Sequence, residues 1–187
     1  FLRRVFLYNS PPKGEIRFNF SSSKHYRREV LRCSLCGHFI SIHNMKERDL
    51  YSGDYVDSNY RDEKGICEAF MRIISLDPRK SDNTGRVSRV LEFASGYFAP
   101  SSSGSHSPSI LDVGSGLCVF LYKMKAAGWN CTALDVDKRL VGHAEKVVGV
   151  RGVCGNFMRL NNLGYFDAIS FNKVLEHMQD PVAMLSR

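Results

Sequence analysis

The stretch "ILDVGSG", residues 110–116, runs from apolar residues into an acid and two closely spaced glycines. That order describes a strand ending in a carboxylate, then a tight turn. Gly114 and Gly116 can take φ > 0 without a Cβ penalty, so the backbone there can approach a ligand closely. A second acid, Asp135, closes another apolar run, "CTALD", roughly 20 residues beyond the first glycine. An acid at that spacing accepts hydrogen bonds from ribose hydroxyls in nucleotide-binding α/β folds. Asp112 argues against a pyrophosphate, because a carboxylate beside two phosphates is repulsive. It suits a cationic group such as an amino-acid ammonium. Cys118 stands where a dinucleotide fingerprint wants a third glycine for close helix–strand packing, which counts against a nicotinamide oxidoreductase. Together these residues describe a pocket for a nucleoside carrying an amino-acid tail.

The elements that must position them follow from the pattern around them. "SILDV", "WNCTALDV", "VRGVC" and "FDAISFN" read as strands. "CVFLYKMKAAG" and "KRLVGHAEKVVG" read as helices, the first closed by Gly128. "VLEHMQ" reads as a helical turn, and Pro181 is a suitable first residue for a further helix. Strands alternating with helices imply an α/β fold with a parallel sheet, whose ligands sit at the carboxyl ends of the strands. "APSSSGSHSPS", residues 99–109, is a Ser/Pro/Gly-rich break ahead of this part. Before it, "EKGICEAFMRIISL" and "RVSRVLEFASGYF" carry apolar residues at helical spacing, separated by an exposed "DPRKSDNTG". "VLRCSLCGHFISI" reads as a hairpin with Cys33 and Cys36 in its turn, and "DLYSGDYVDSNYRD" as a loop. The expected division is a basic segment over 1–62 and an α/β domain over 63–187.

The chain has 187 residues, 43% of them apolar and 24% charged, which suits a globular protein with a sizeable core. No apolar run approaches the ~18 residues of a membrane span, so no membrane partner is expected. Residues 1–8, "FLRRVFLY", are too short and too basic for a signal peptide. The net charge of +7, concentrated in the front part, favours anionic partners. No arginine-rich run interleaved with aromatics marks a nucleic-acid face along the sequence. Of the six cysteines only Cys33 and Cys36 have diagnostic spacing; Cys118, Cys131 and Cys154 read as packed thiols. This is no disulfide framework, and it implies a reducing, cytoplasmic compartment.

Taken together, "ILDVGSGLCVFLYKMKAAGWNCTALDVD", "GNF" and "FDAISFNKVLEHMQDP" resemble the class I S-adenosylmethionine-dependent methyltransferases over roughly residues 85–187. The resemblance implies a Rossmann-like, doubly wound parallel sheet, C-terminally incomplete before its fifth strand, with a small N-terminal hairpin and helical attachment. It implies S-adenosyl-L-methionine as cofactor, with Asp112, Gly114 and Gly116 lining its methionine part, Asp135 holding the ribose hydroxyls, and Ser115 and Val136 also among the cofactor-binding residues. Asn156 and Phe157 would flank the adenine, and Asn172 and Lys173 would lie near the sulfonium and the acceptor. Asn156 replaces a common aspartate, but its amide oxygen can still accept from the adenine amino group. His177, after Glu176, is the candidate base.

"RCSLCGH" reads as one knuckle of a zinc ribbon, with Cys33 and Cys36 as metal ligands. A tetrahedral site needs more; His25, His38, His43 and Cys67 are the available donors, none at convincing spacing. Sugar-modifying methyltransferases with an N-terminal ribbon also carry a tyrosine segment similar to Tyr51, Tyr55 and Tyr60. That resemblance implies a small-molecule acceptor, a sugar or nucleotide-sugar. The alternatives are an RNA methyltransferase, whose grip would be the basic front part, and a non-catalytic module that keeps the fold.

Overall fold

The computed structural model describes residues 1–10, 13, 26–43, 54–98, 107–178 and 180–187. His25, Tyr51 and most of the 99–109 break lie outside the described residues. The chain divides into two compact units, Phe1–Asn59 and Tyr60–Arg187.

The first unit holds a three-stranded antiparallel sheet in the order β1 (Leu2–Tyr8), β2 (Arg28–Cys33), β3 (Phe39–His43). The hairpin read around the cysteines is β2–β3, in register from Arg28 opposite His43 to Arg32 opposite Phe39. Its turn closes with the Gly37 N–H donating to the Cys33 carbonyl at 3.0 Å, and Gly37 takes φ +73. Strand β1 has no clean alternation because a register shift between Arg4 and Phe6 breaks its period, which hid it in the sequence. The tyrosine segment differs from its loop reading: Asp54–Tyr60 forms helix α1.

In the second unit, Asp62 caps helix α2 (Glu63–Ile74) by accepting from the Gly65 N–H at 2.8 Å. Ser81 caps helix α3 (Asp82–Ser95). The stretch "DPRKSDNTG" runs into the first turn of α3 and is not wholly exposed. Asn83 is buried and donates from Nδ2 to the Val119 carbonyl at 2.9 Å, tying α3 to the start of helix α4 (Val119–Ala126). A four-stranded parallel sheet follows, ordered β6 (Arg151–Cys154), β5 (Asn130–Asp135), β4 (Ser109–Val113), β7 (Ala168–Ser170). Helix α5 (Lys138–His143) continues into a π-helical turn, Ala144–Val148, and α6 (Pro181–Leu185) starts on its proline.

The two central strands, β4 and β5, are buried on both faces, as near-continuous apolar parallel strands require. Ile110 and Ala133 pack with Phe70, Leu121 and Met124 in one cluster. Their neighbours Leu111 and Leu134 pack with Phe157 and Met184 in another. This α/β architecture is the Rossmann-like parallel sheet expected from the sequence. Among the described residues no helix is long and apolar enough to cross a membrane.

Candidate functional site

The two acids that opened the sequence reading come together at the carboxyl ends of adjacent parallel strands. Asp112 on β4 stands opposite Ala133 on β5, so Asp112 and Asp135 lie on the same face, with Asp135 one pleat further on. Between them the turn after β4 folds back over the end of β5. The N–H groups of Gly114 and Ser115 donate to the Leu134 carbonyl at 2.8 and 3.1 Å. The Gly116 N–H donates to Asp135 Oδ2 at 3.0 Å, and the Asp137 N–H to Oδ1 at 3.0 Å. The second acid therefore holds the glycine turn from the end of β5.

Both glycines are needed by the backbone. Gly114 has φ +67, and a Cβ there would lie 2.7 Å from Val174 Cγ2. Gly116 has φ +52, and the place of its missing Cβ has no atom within 4 Å. One glycine is packed; the other leaves open space beside the turn. Cys118, at the third position, takes the left-handed φ +56 and is fully buried. Its side chain occupies the interior where a glycine would have left the backbone relaxed.

Asp112 is 2% exposed. Its Oδ1 accepts from the Ser170 hydroxyl at 2.6 Å and from Asn172 Nδ2 at 2.9 Å. Burial pushes its carboxyl up to about 6, against the pull of those two hydrogen bonds. Burial also raises Asp135, opposed by the N–H groups of Asp137 and Gly116. Ser170 is a partner that the sequence reading missed. The signal was present: in "SFN", Ser170 and Asn172 share one face of β7 and its extension, two residues apart.

The other expected residues divide. Val136 is exposed beside Asp135. Asn156 is exposed, and its side-chain oxygen accepts from the Met158 N–H at 2.9 Å. Phe157 turns inward to meet Phe171 edge-on, with ring centroids 5.6 Å apart. Lys173 lies 3.6 Å from Asp82 at the start of α3, a contact between exposed groups and not one to the paired acids. His177 is exposed in a 3-10 turn, Leu175–His177. Cys154 is not the packed thiol its setting implied. It is exposed at the end of β6, with Sγ 3.7 Å from the Val136 carbonyl, because β6 pairs Cys154 with Asp135 at the sheet's open end.

Cys33 and Cys36 do form a knuckle. The Cys33 thiol is lowered from its usual value by the N–H groups of Cys36 and Leu35 and by the Cys36 thiol. Among the described residues, however, no group of three or more His, Cys, Asp or Glu could hold a metal ion. Zinc is therefore not supported by the described residues, since two thiolates leave a tetrahedral ion half coordinated.

A sequence-family profile described as "Methyltransferase domain" matches residues 72–187, more than half of the chain. The chain belongs to this methyltransferase-domain family. Among solved structures, the methyltransferase domain is similar to magnesium protoporphyrin IX methyltransferase from Synechocystis PCC 6803 with bound S-adenosylmethionine. The identity is 19%, covering 71% of this chain and 66% of that chain, with TM-score 0.47. It is also similar to the N-methyltransferase NodS from Bradyrhizobium japonicum in complex with S-adenosyl-L-homocysteine, at 20% identity, 64% and 62% coverage and TM-score 0.42. DesVI from Streptomyces venezuelae matches at 17% identity, 67% and 52% coverage and TM-score 0.45. This chain thus spans less than two thirds of the length of each. No curated protein matches it.

Two predictions follow from the geometry of the methyltransferase domain. An acid whose folded pKa is raised favours the folded state below its unfolded pKa, and that contribution is lost as pH rises through the folded value. For Asp112 the window runs from 3.8 to about 6. Asp112→Asn therefore gains on the parent as pH rises through this window and levels off above it, by up to about 3 kcal/mol. Urea unfolding at pH 4 and pH 7.5 reads the difference (about as wide a span as the window requires). Burial also pushes Cys118 and Cys131 up to about 12. Under native conditions iodoacetamide should label Cys36 and Cys154 and spare Cys118 and Cys131, as peptide mass mapping would show.

Proposed function

We propose that the chain is an S-adenosylmethionine-dependent methyltransferase acting on a small-molecule acceptor, with residues 63–187 as its cofactor-binding part. The observation that carries this reading is the junction of the Gly114–Gly116 turn with Asp135, beside which Gly116 leaves open space. A phosphate ligand would meet the buried carboxylates Asp112 and Asp135 there; a nucleoside with an ammonium-bearing tail meets hydrogen-bond acceptors.

When bound, S-adenosylmethionine supplies a methyl group on a sulfonium, an electrophile for in-line displacement. The work left to the chain is positioning. Asp135 accepts from the ribose hydroxyls with the lone pairs its two backbone N–H bonds leave free. Val136 offers an exposed apolar surface to the adenine, and Asn156 offers its amide at the adenine edge. Phe157 supports that loop from the core. Asp112 places negative charge under the turn, toward the ammonium, and Ser170 and Asn172 fix its orientation. Ser115 contributes the backbone between the glycines. His177 is the candidate base for an acceptor hydroxyl, and Lys173 flanks the same turn. The resemblance to ribbon-bearing enzymes favours a sugar or nucleotide-sugar acceptor. An RNA acceptor is the second reading, favoured by the basic surface of the first unit. The six free thiols favour a reducing, cytoplasmic setting.

Titration calorimetry tests the reading. S-adenosylmethionine binds the parent, and Asp135→Ala, checked for folding by circular dichroism, weakens binding about tenfold to a hundredfold, the loss of hydrogen bonds to a charged acceptor. Bound cofactor also protects Cys154 from iodoacetamide and leaves Cys36 reactive. A folded parent that binds neither S-adenosylmethionine nor S-adenosylhomocysteine sinks the proposal.

A further inference from the structure

Along the sequence the arginines and aromatics of the first unit do not interleave; across its sheet they do. Residues directly opposite in antiparallel strands share a face. The register places Arg3 opposite Arg32, Arg32 opposite Phe39, and Tyr8 opposite Arg28. Phe6 joins the same face, stacked with Tyr8 at a centroid distance of 6.0 Å and an interplanar angle of 29°. The Arg32 guanidinium lies over the Phe39 ring, 5.6 Å from its centroid. Arg28 is held on this face by its Nε donating to the Ser41 hydroxyl at 2.8 Å.

The charge is one-sided. Glu29 is the only acid on the three strands, and it points to the opposite face, where Arg4 approaches it at 3.9 Å. Like charges directly opposite each other destabilise a sheet unless an anion relieves them, and Arg3 faces Arg32. The aromatics are open as well: Phe6 is 52% and Phe39 55% exposed. Exposed rings beside guanidinium groups, on a face where the described strands carry no acid, match a strand of unpaired bases with its phosphates. Rings stack on bases of any sequence, and arginines take the backbone. An acidic peptide would use the arginines but leave the rings without a partner. Unpaired bases are offered chiefly by RNA, in loops and single-stranded segments.

We propose that this face of the β1–β2–β3 sheet binds single-stranded RNA. The inference rests on the first unit alone and stands whether or not the RNA is the methyl acceptor. The test is fluorescence anisotropy of the full chain with a short labelled single-stranded RNA of mixed sequence, beside the same RNA in a duplex. The single strand binds more tightly. Phe39→Ala weakens it about tenfold, and Phe39→Trp, which keeps a stacking surface, restores it. Arg32→Ala weakens binding and lowers the slope of log affinity against log salt by about 0.7, whereas Arg4→Ala, the same charge change on the opposite face, leaves both unchanged. Binding persists in Asp135→Ala, and cofactor titration is unaltered in Phe39→Ala, so failure here and failure of the methyltransferase reading are separable. Absence of single-strand binding, equal losses from Arg4→Ala and Arg32→Ala, or no rescue by Phe39→Trp would overturn the assignment. A dimer that Phe39→Ala dissolves, without RNA binding, would overturn it in favour of self-association.

Discussion

The hydrogen bonds that fold the turn after β4 onto the end of β5 are the constraint on which the second unit's site depends. Gly114 and Ser115 share the Leu134 carbonyl, and Gly116 reaches the Asp135 carboxylate. These bonds need three successive N–H groups aimed at one strand end, which needs positive φ at Gly114 and Gly116. They also need β4 and β5 parallel and adjacent, so that both strands end at the same edge. The apolar clusters on the two faces of the sheet hold that pairing in place. Loss of either glycine's backbone freedom would move the turn away from Asp135 and leave a buried carboxylate short of donors, which costs more than the bond itself was worth.

The site carries its own energetic cost. Two carboxylates are buried within one sheet edge, and burial raises the pKa of both. A fold selected only for stability would place apolar or amide groups there. Asp112 is kept in place by Ser170 and Asn172 from β7 and its extension, a strand that contributes little else to the described sheet. The central strands β4 and β5 and the edge strand β7 thus converge on one acid pair, and the short β7 brings the donors that hold Asp112. Such local conflict between stability and polarity is expected where a ligand is to be held.

The second unit was legible because its signals are local. Period, caps and glycine spacing placed β4 through α6, and the acids marked which strand ends matter. Asn83 was not legible, since its bond to the Val119 carbonyl spans two helices and leaves no pattern in either. Cys154 was misread because an apolar, glycine-containing neighbourhood does not say whether a strand's last residue is covered. The first unit was legible only in its hairpin. β1 carries a register shift, and its partners lie beyond residues 11–25, so neither its strand nor the face it builds with Arg32 and Phe39 shows in sequence order. Cys33 and Cys36 gave a true local geometry, a knuckle, but a metal site requires donors that no local spacing supplies.

The most direct test of the account is an amide chemical-shift map of the chain titrated with S-adenosylhomocysteine. The account predicts shifts at Gly114, Gly116, Asp135, Val136 and Asn156, which line one strand edge, with the Leu2–Tyr8 and Phe39–His43 strands unmoved. Shifts that avoid the turn and Asp135, or a saturating titration that moves none of them, would contradict it.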